Sequence, residues 1–203
     1  MYTANDITVV PDFINRGYQE TLERFLLGAD FPVYRDAGTA VAADQLERVT
    51  QDMPMWKDAH TREHPQYIHS FVHTGEIVSL IWPRIAPLWF ELERRLDREC
   101  RPLRVKLNVN TQDNTFGPLD HYPAHIDVAQ KDCVTAIYYV NDADGDTLWY
   151  NDKMEEIFRL TPRRGTLVYF PSRMRHAGQP PRQHQLRAVI NFNAKVTDRV
   201  NTQ

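Results

Sequence analysis

The chain has 203 residues, enough for one compact domain with a sizeable core and marginal for two. Its composition is 42% hydrophobic and 25% charged with a formal net charge of -3, which gives no general reason to expect a nucleic-acid or membrane partner. Residues 1–10 lack the pattern of a secretory signal, and no apolar run is long enough to span a bilayer. We therefore expect a cytoplasmic protein in which Cys100 and Cys133 are reduced.

The first half of the chain is predicted to be mainly helical. Residues 16–27 place four apolar side chains at the spacing of one helix face. Residues 74–98 carry a longer helical pattern, in which Pro83 and Pro87 predict a kink or a break into two helices.

Near residue 100 the pattern changes to that of strands. Residues 104–110 alternate apolar and polar side chains, and residues 187–196 do the same near the end of the chain. Three further runs are rich in β-branched and aromatic residues and are predicted strands: residues 134–140, 147–150 and 165–170.

Strands with one apolar and one polar face predict a sheet that is covered by helices outside and lines a wet pocket inside. A double-stranded β-helix, the jelly-roll or cupin-like architecture, has this arrangement. The expected fold is α+β and mainly β, in a single domain of residues 1–203. Residues 100–197 would form the β-helix and residues 1–99 its helical support. Helices first and strands second disfavour a doubly wound parallel sheet.

A His-x-Asp triplet, His125 to Asp127, precedes the predicted strand at residues 134–140. In extended backbone, side chains two residues apart lie on one face, so a single cation can contact both. His176 follows another predicted strand and can supply a third ligand. Two imidazoles and one carboxylate leave three metal positions open, as in iron(II) oxygenases. Each histidine also has a plainer interpretation, as a surface or hydrogen-bonded loop residue.

Arg187 lies 11 residues after His176, on the polar face of the last predicted strand. A guanidinium there can hold the distal carboxylate of 2-oxoglutarate through paired, charge-assisted hydrogen bonds. Alone, Arg187 would be interpreted as an edge-strand surface residue. The ordered set of His-x-Asp, distant His and downstream Arg favours a site for metal and 2-oxoglutarate.

A family resemblance supports this interpretation. Residues 122–127, Tyr-Pro-Ala-His-Ile-Asp, resemble the Tyr-x-x-His-x-Asp segment of oxygenases related to prolyl 4-hydroxylases. Residues 133–141, Cys-Val-Thr-Ala-Ile-Tyr-Tyr-Val-Asn, resemble the strand that follows this motif in the oxygen-sensing prolyl hydroxylases. The resemblance covers roughly residues 104–196.

The resemblance implies that iron(II) is held by His125, Asp127 and His176, with 2-oxoglutarate and O2 as cosubstrates. It implies that Arg187 binds the C5 carboxylate of 2-oxoglutarate and that the Tyr139 hydroxyl assists, although a core aromatic explains Tyr139 equally well.

Other pocket positions are less directly indicated. Thr135 lies four residues before Tyr139 and shares its inward face, and Asn191 stands where the oxygen sensors carry threonine. Gly145-Asp146 replaces a Gly-Gly pair that is common in these enzymes. Possible contacts to substrate are Tyr122, Asn108 and Trp149.

The expected enzyme is a dioxygenase that hydroxylates an unactivated C–H bond. Asp127 argues for hydroxylation, because a small residue in its place would open a metal position for halide, as in related halogenases. A small-molecule substrate, such as an amino acid, nucleotide or pathway metabolite, is favoured because the compact chain shows no added peptide-binding module. The alternatives are a peptidyl prolyl hydroxylase and, from another class, a non-catalytic cupin-like binding protein.

Overall fold

The computed structural model describes residues 1–36, 60–62 and 64–197. In this part of the chain, two α-helices pack against two antiparallel β-sheets. None of the described helices is long and apolar enough to cross a membrane.

The strands, numbered along the chain, form a larger and a smaller sheet. They are β1 (Thr8–Val10), β2 (Tyr34–Asp36), β3 (Gln66–His73), β4 (Glu76–Ile77), β5 (Glu99–Thr111), β6 (Cys133–Tyr139), β7 (Thr147–Tyr150), β8 (Glu156–Leu160), β9 (Leu167–Pro171), β10 (Arg175–Gly178) and β11 (Leu186–Thr197). The larger sheet has the order β1-β9-β6-β11-β5-β3-β2, with β4 paired to β3, and the smaller has the order β10-β7-β8. The two sheets form the predicted double-stranded β-helix.

Helix α1 (Arg16–Leu26) lies where the apolar spacing predicted it. The Asn15 side chain caps it by accepting a hydrogen bond from the Tyr18 backbone at 2.9 Å. Helix α2 (Ala86–Leu96) has proline in its first turn, where a missing N–H costs nothing, and ends at Asp97 in the left-handed conformation. Short 3-10 helices occupy Ala4–Asp6 and Trp82–Arg84.

The helix predicted over residues 74–98 is wrong in its first half. Thr74 and Gly75 both have positive φ, 49° and 86°, and turn the chain from β3 into β4. This backbone is that of a tight hairpin, for which glycine is suited. The turn therefore overrides the helical spacing of the apolar residues that follow, and Ile77 and Leu80 are exposed.

The N-terminal half is also not purely helical support, because it contributes β1, β2 and β3 to the larger sheet. The predicted buttress is nevertheless present. Leu22 and Leu26 from α1 and Leu88 and Leu92 from α2 are buried in one core cluster with the apolar face of β5 and β11. The polar faces of the same two strands look into the space between the sheets, as the alternation predicted.

Candidate metal and cosubstrate site

Three side chains converge at one end of the cleft between the sheets. His125, Asp127 and His176 each offer a ligand atom, and these atoms all lie within 4.8 Å of one another. The Nε2 atom of His125 is 3.8 Å from Asp127 Oδ1, and that of His176 is 3.7 Å from Asp127 Oδ2. Such a group of atoms can be bridged by one metal ion.

Backbone pairing explains why residues far apart in sequence meet here. The His125 N–H donates to the His176 carbonyl at 3.0 Å, and the His176 N–H donates back at 2.9 Å. This isolated antiparallel bridge places His125 beside β10, at the edge of the smaller sheet. Because the pair is in direct register, the two rings lie next to each other, with centroids 4.6 Å apart.

The histidine rings are oriented with Nε2 toward the shared point. The Nδ1 of His125 lies 3.0 Å from the Pro123 carbonyl oxygen, and the Nδ1 of His176 lies 3.2 Å from that of Met174. A carbonyl oxygen only accepts, so these contacts favour the tautomers that carry hydrogen on Nδ1. Each Nε2 lone pair is then available to a metal.

The charges suit a cation. Burial lowers the pKa of His125 to about 4, with His176 adding to the effect and Asp127 opposing it. Burial alone would raise the pKa of the Asp127 carboxyl, but His176, Arg104 and His125 together hold it far below its usual value. At neutral pH the site therefore presents a neutral His125 imidazole and a carboxylate, the forms that bind metal.

Asp127 is held by four side chains from the larger sheet. Arg104 donates to Oδ1 at 2.9 Å. Oδ2 accepts from Thr135 at 3.0 Å, Asn191 at 3.0 Å and Asn193 at 3.1 Å. The structure thus places Thr135 and Asn191, for which we predicted cosubstrate contacts, against the metal-site carboxylate. Their predicted contact with 2-oxoglutarate stays a prediction.

At the other end of the cleft lies Arg187, which is 5% exposed. Its Nε donates to the Gly145 carbonyl oxygen at 2.7 Å and its Nη2 donates to Thr147 Oγ1 at 2.8 Å. Neither partner is anionic, and no carboxylate of the described residues lies within 4.0 Å of the guanidinium. Because burying a cation without a counter-ion costs free energy, we expect Arg187 to bind an anionic ligand.

Thr147 supplies a second donor at this end. Its Oγ1 accepts from Arg187 and, at 2.8 Å, from the Tyr139 hydroxyl. A hydroxyl has two acceptor positions and one hydrogen, so both positions are filled and the hydrogen is left for a ligand in the cleft. Burial raises the pKa of Tyr139 to about 12, which keeps this phenol a donor at neutral pH.

Buried polar atoms without a partner surround the same space. Tyr122 Oη, Asn110 Nδ2 and Asn108 Oδ1 line the cleft and have no hydrogen-bond partner among the described residues. Asn110 lies directly opposite Arg187 in the register of β5 and β11. Buried polar atoms are nearly always paired, so these three mark where a polar ligand or water fits.

Gly178 keeps the same region open. A Cβ atom at this position would lie 3.5 Å from the Tyr122 ring and 3.7 Å from the Arg187 guanidinium. The side chains of Tyr122, Thr147 and Arg187 line this part of the cleft together with Gly178. Thr147 could not be identified as a site residue from the sequence, because a threonine in a strand usually has only a packing role.

Of the three possible substrate contacts, Tyr122 and Asn108 line the cleft. Trp149 is fully buried in a core cluster, with its ring centroid 5.5 Å from that of Phe158 and 5.4 Å from that of Phe170. The structure gives no support for a substrate contact at Trp149.

Two cations that the sequence did not single out also line the cleft. Arg104 and Lys106 lie on the polar face of β5, and with Arg187 they oppose Asp127, the one carboxylate among the described residues that line the cleft. Burial lowers the pKa of Lys106 to about 8, Arg104 adds to the effect, and Asp127 and Asp36 oppose it. The alternation of β5 predicted a polar face, but not that its cations would meet the metal site.

Comparison with known proteins agrees with this geometry. Residues 111–195 match the 2OG-Fe(II) oxygenase superfamily, and this span holds all three candidate ligands and Arg187. This part of the chain is therefore similar to the core of 2-oxoglutarate- and iron(II)-dependent oxygenases. Fe(II) is therefore the metal, and 2-oxoglutarate the cosubstrate, that the site is expected to receive. No curated protein matches the chain.

Solved structures share the fold of the oxygenase core at low sequence identity. A prolyl hydroxylase from Trichoplax adhaerens, in complex with a hypoxia-inducible-factor peptide fragment, is 14% identical with a TM-score of 0.56, over 95% of this chain and 84% of that one. The epimerase SnoN from nogalamycin biosynthesis, with Fe3+, alpha ketoglutarate and nogalamycin RO, is 13% identical with a TM-score of 0.55, over 94% and 78%. HygX from Streptomyces hygroscopicus, with nickel and 2-oxoglutarate bound, is 10% identical with a TM-score of 0.53, over 95% and 83%.

Proposed function

We propose that this oxygenase hydroxylates a C–H bond of a small molecule, with iron(II) held by His125, Asp127 and His176. One observation carries the proposal. A single cleft has three converging ligand atoms at one end and, at the other, a buried Arg187 without a carboxylate partner in the described chain. A diacid can bind the metal with one end and the guanidinium with the other.

The residues at the metal end have separable roles. His125 and His176 offer their Nε2 atoms, and Asp127 offers a charge that Thr135 and Asn191 hold in place. When bound, iron(II) supplies the activation of O2 for oxidation of the substrate, coupled to conversion of 2-oxoglutarate into succinate and CO2. The chain itself supplies position and charge.

At the distal end, Arg187, Thr147 and Tyr122 would donate to the C5 carboxylate of 2-oxoglutarate. This assignment uses the open Nη1 of Arg187, the free hydrogen of Thr147 and the unpaired Tyr122 hydroxyl. Tyr139 was predicted to assist this carboxylate. Since its hydroxyl donates to Thr147, we infer that it acts through Thr147.

The lining of the cleft supports a small substrate. Charged and amide side chains dominate its wall, and a few convergent polar groups of this kind fix the orientation of a small ligand. The fold does not decide the question, because the similar structures include both a peptide complex and a complex with nogalamycin RO.

The proposal is tested by adding 2-oxoglutarate and Fe(II) to the protein without oxygen and recording the visible charge-transfer band of the chelate. The wild type should give the band. His125→Ala and Asp127→Ala should lose it because each removes a ligand, and Arg187→Met should require at least tenfold more 2-oxoglutarate. His73→Ala, at an exposed histidine, is the control and should leave the band unchanged.

Two results would contradict the assignment. A full band in His125→Ala or Asp127→Ala would place the metal elsewhere. A wild-type protein that binds Fe(II) but neither gives the band nor forms succinate in air would be a cupin-like binding protein without oxygenase activity.

A further inference from the structure

Lys106 is the lining cation that the proposed function leaves unused. Arg104 is committed to Asp127, at 2.9 Å, and Arg187 faces the place of the C5 carboxylate. Lys106 also lines the cleft, yet it makes no hydrogen bond or ion pair with another residue in the described part of the chain.

The position of Lys106 separates it from the cosubstrate anchor. In the register of β5 and β11, Lys106 is opposite Asn191, whose amide holds Asp127, whereas Asn110 is opposite Arg187. Lys106 and Asn110 are four residues apart in β5, which is about 13 Å along the strand. Lys106 therefore belongs to the metal end of the cleft.

Neither the metal site nor the cosubstrate would supply a counter-ion for Lys106. Under the proposed function, one carboxylate of 2-oxoglutarate binds the metal and the other binds Arg187, so neither is left over. Asp127 already faces Arg104, His125 and His176, and its carboxylate would be a ligand of the metal. Lys106 is partly buried, and an ammonium that is partly removed from water gains stability from an anion beside it.

The ionisation of Lys106 is consistent with a site that binds an anion. Although burial lowers its pKa to about 8, most of the lysine is still protonated at neutral pH. The nearby acids that favour its charged form, Asp127 and Asp36, do not overcome the effects of burial and of Arg104. An anion in contact would add the stabilisation that these acids do not supply.

We infer that the substrate carries an anionic oxygen group, a carboxylate or a phosphate, which Lys106 binds at the metal end of the cleft. The inference rests on the proposed function and names the substrate class of the same site. Lys106 would then decide specificity, since it sets the oxidised C–H bond at a fixed distance from the anionic group.

The test uses protein loaded with Mn(II) and 2-oxoglutarate, with methylphosphonate and acetate as probes. Mn(II) broadens the ³¹P or ¹³C signal of a probe that binds near it, and titration of this broadening gives a Kd. Lys106→Met removes the charge at similar length, Lys106→Arg keeps it, and acetamide is the neutral counterpart of acetate. Affinity for 2-oxoglutarate is measured in parallel from the Fe(II) chelate band.

We expect at least one anion to bind the wild type, acetamide not to bind, and Lys106→Met to weaken the anion at least tenfold. Lys106→Arg should stay within threefold of the wild type. Tighter binding of methylphosphonate would indicate a phosphate-bearing substrate, and tighter binding of acetate a carboxylate.

Several results would overturn the inference. These are equal binding of the anions by the wild type and Lys106→Met, binding of neither anion by the wild type, or a tenfold loss of 2-oxoglutarate affinity in Lys106→Met, which would assign Lys106 to the cosubstrate. Failure of the proposed function is distinct, because the wild type would then lack the chelate band itself.

Discussion

At the scale of single residues, Thr147 shows how a small side chain can organise a charged site. It accepts from Arg187 and from Tyr139, so it fixes the guanidinium and a phenol with one oxygen. Its remaining hydrogen faces the cleft, which makes it a donor toward a carboxylate. One hydroxyl thus orients the cosubstrate anchor and extends it.

Thr147→Val should weaken 2-oxoglutarate binding by about tenfold to a hundredfold. Valine has nearly the same shape, but it leaves two buried donors without an acceptor, at about 1–3 kcal/mol each. The Kd is read from the Fe(II) chelate band under anaerobic conditions. Thr147→Ser, which keeps the hydroxyl, should stay within threefold. Equal affinity in the valine variant and the wild type would show that Arg187 needs no such support.

At the scale of elements, the start of β7 is pressed against the chain that follows β10. A Cβ atom on Gly145 would lie 2.3 Å from the Gln179 carbonyl oxygen and 2.8 Å from the Pro180 carbonyl carbon. The Gly145 carbonyl also accepts from Arg187. Asp146, which follows, takes hydrogen bonds from Thr161 and Arg159 and so ties β7 to the end of β8.

Gly145→Ala should therefore damage the anchor of the cosubstrate. The atoms it would meet are backbone and cannot rotate away, so β7 must shift from Arg187. We expect at least tenfold weaker 2-oxoglutarate binding and about 2–4 kcal/mol less stability toward urea. Gly17→Ala on α1, where the nearest atom is 3.6 Å away, is the matched control and should be neutral in both measurements. A Gly145→Ala variant as mild as the control would contradict the close approach.

The strands that could be predicted from the sequence are those whose two faces differ. β5 and β11 alternate because one face meets the helices and the other meets the cleft, and β7 was predicted with its observed ends. β3 was missed because it lies in a histidine-rich stretch without clean alternation. β10 was missed because four residues carry too little pattern.

The meeting of His125, Asp127 and His176 could be predicted, because the spacing of the first two and the order of the third are written in the sequence; that they bind the metal stays a prediction. Arg104 and Thr147 were not, because their roles come from partners across the sheet: Arg104 from Asp127, and Thr147 from Arg187. A sequence gives the polarity of a strand face, but not which cation will stand beside which acid.

At the scale of the whole molecule, the strands that line the cleft pack their opposite faces into the hydrophobic core. The β5 and β11 strands that carry Arg104 and Arg187 inward bury Leu107 and Ile190 outward, against α1 and α2. A single domain of residues 1–203 stays a prediction, and cooperative unfolding would support it.

Leu88→Ala tests this buttress. Leu88 is fully buried on α2, and its truncation should lower the free energy of unfolding by about 2–5 kcal/mol in one urea transition. Leu80→Ala, at a fully exposed leucine, should change it by less than about 0.5 kcal/mol. Similar effects of the two substitutions, or a second transition, would show that the helices are not part of one core.

The ion pair between Arg104 and Asp127 bears on how the protein exists before it acquires iron. The Asp127 side chain is only 2% exposed, and a carboxylate so enclosed would destabilise the fold if it had no cation. Arg104 supplies that cation from within the chain. This carboxylate thus has a counter-ion before a metal binds, and we expect the chain to fold without iron, unlike small domains whose folding waits for their metal.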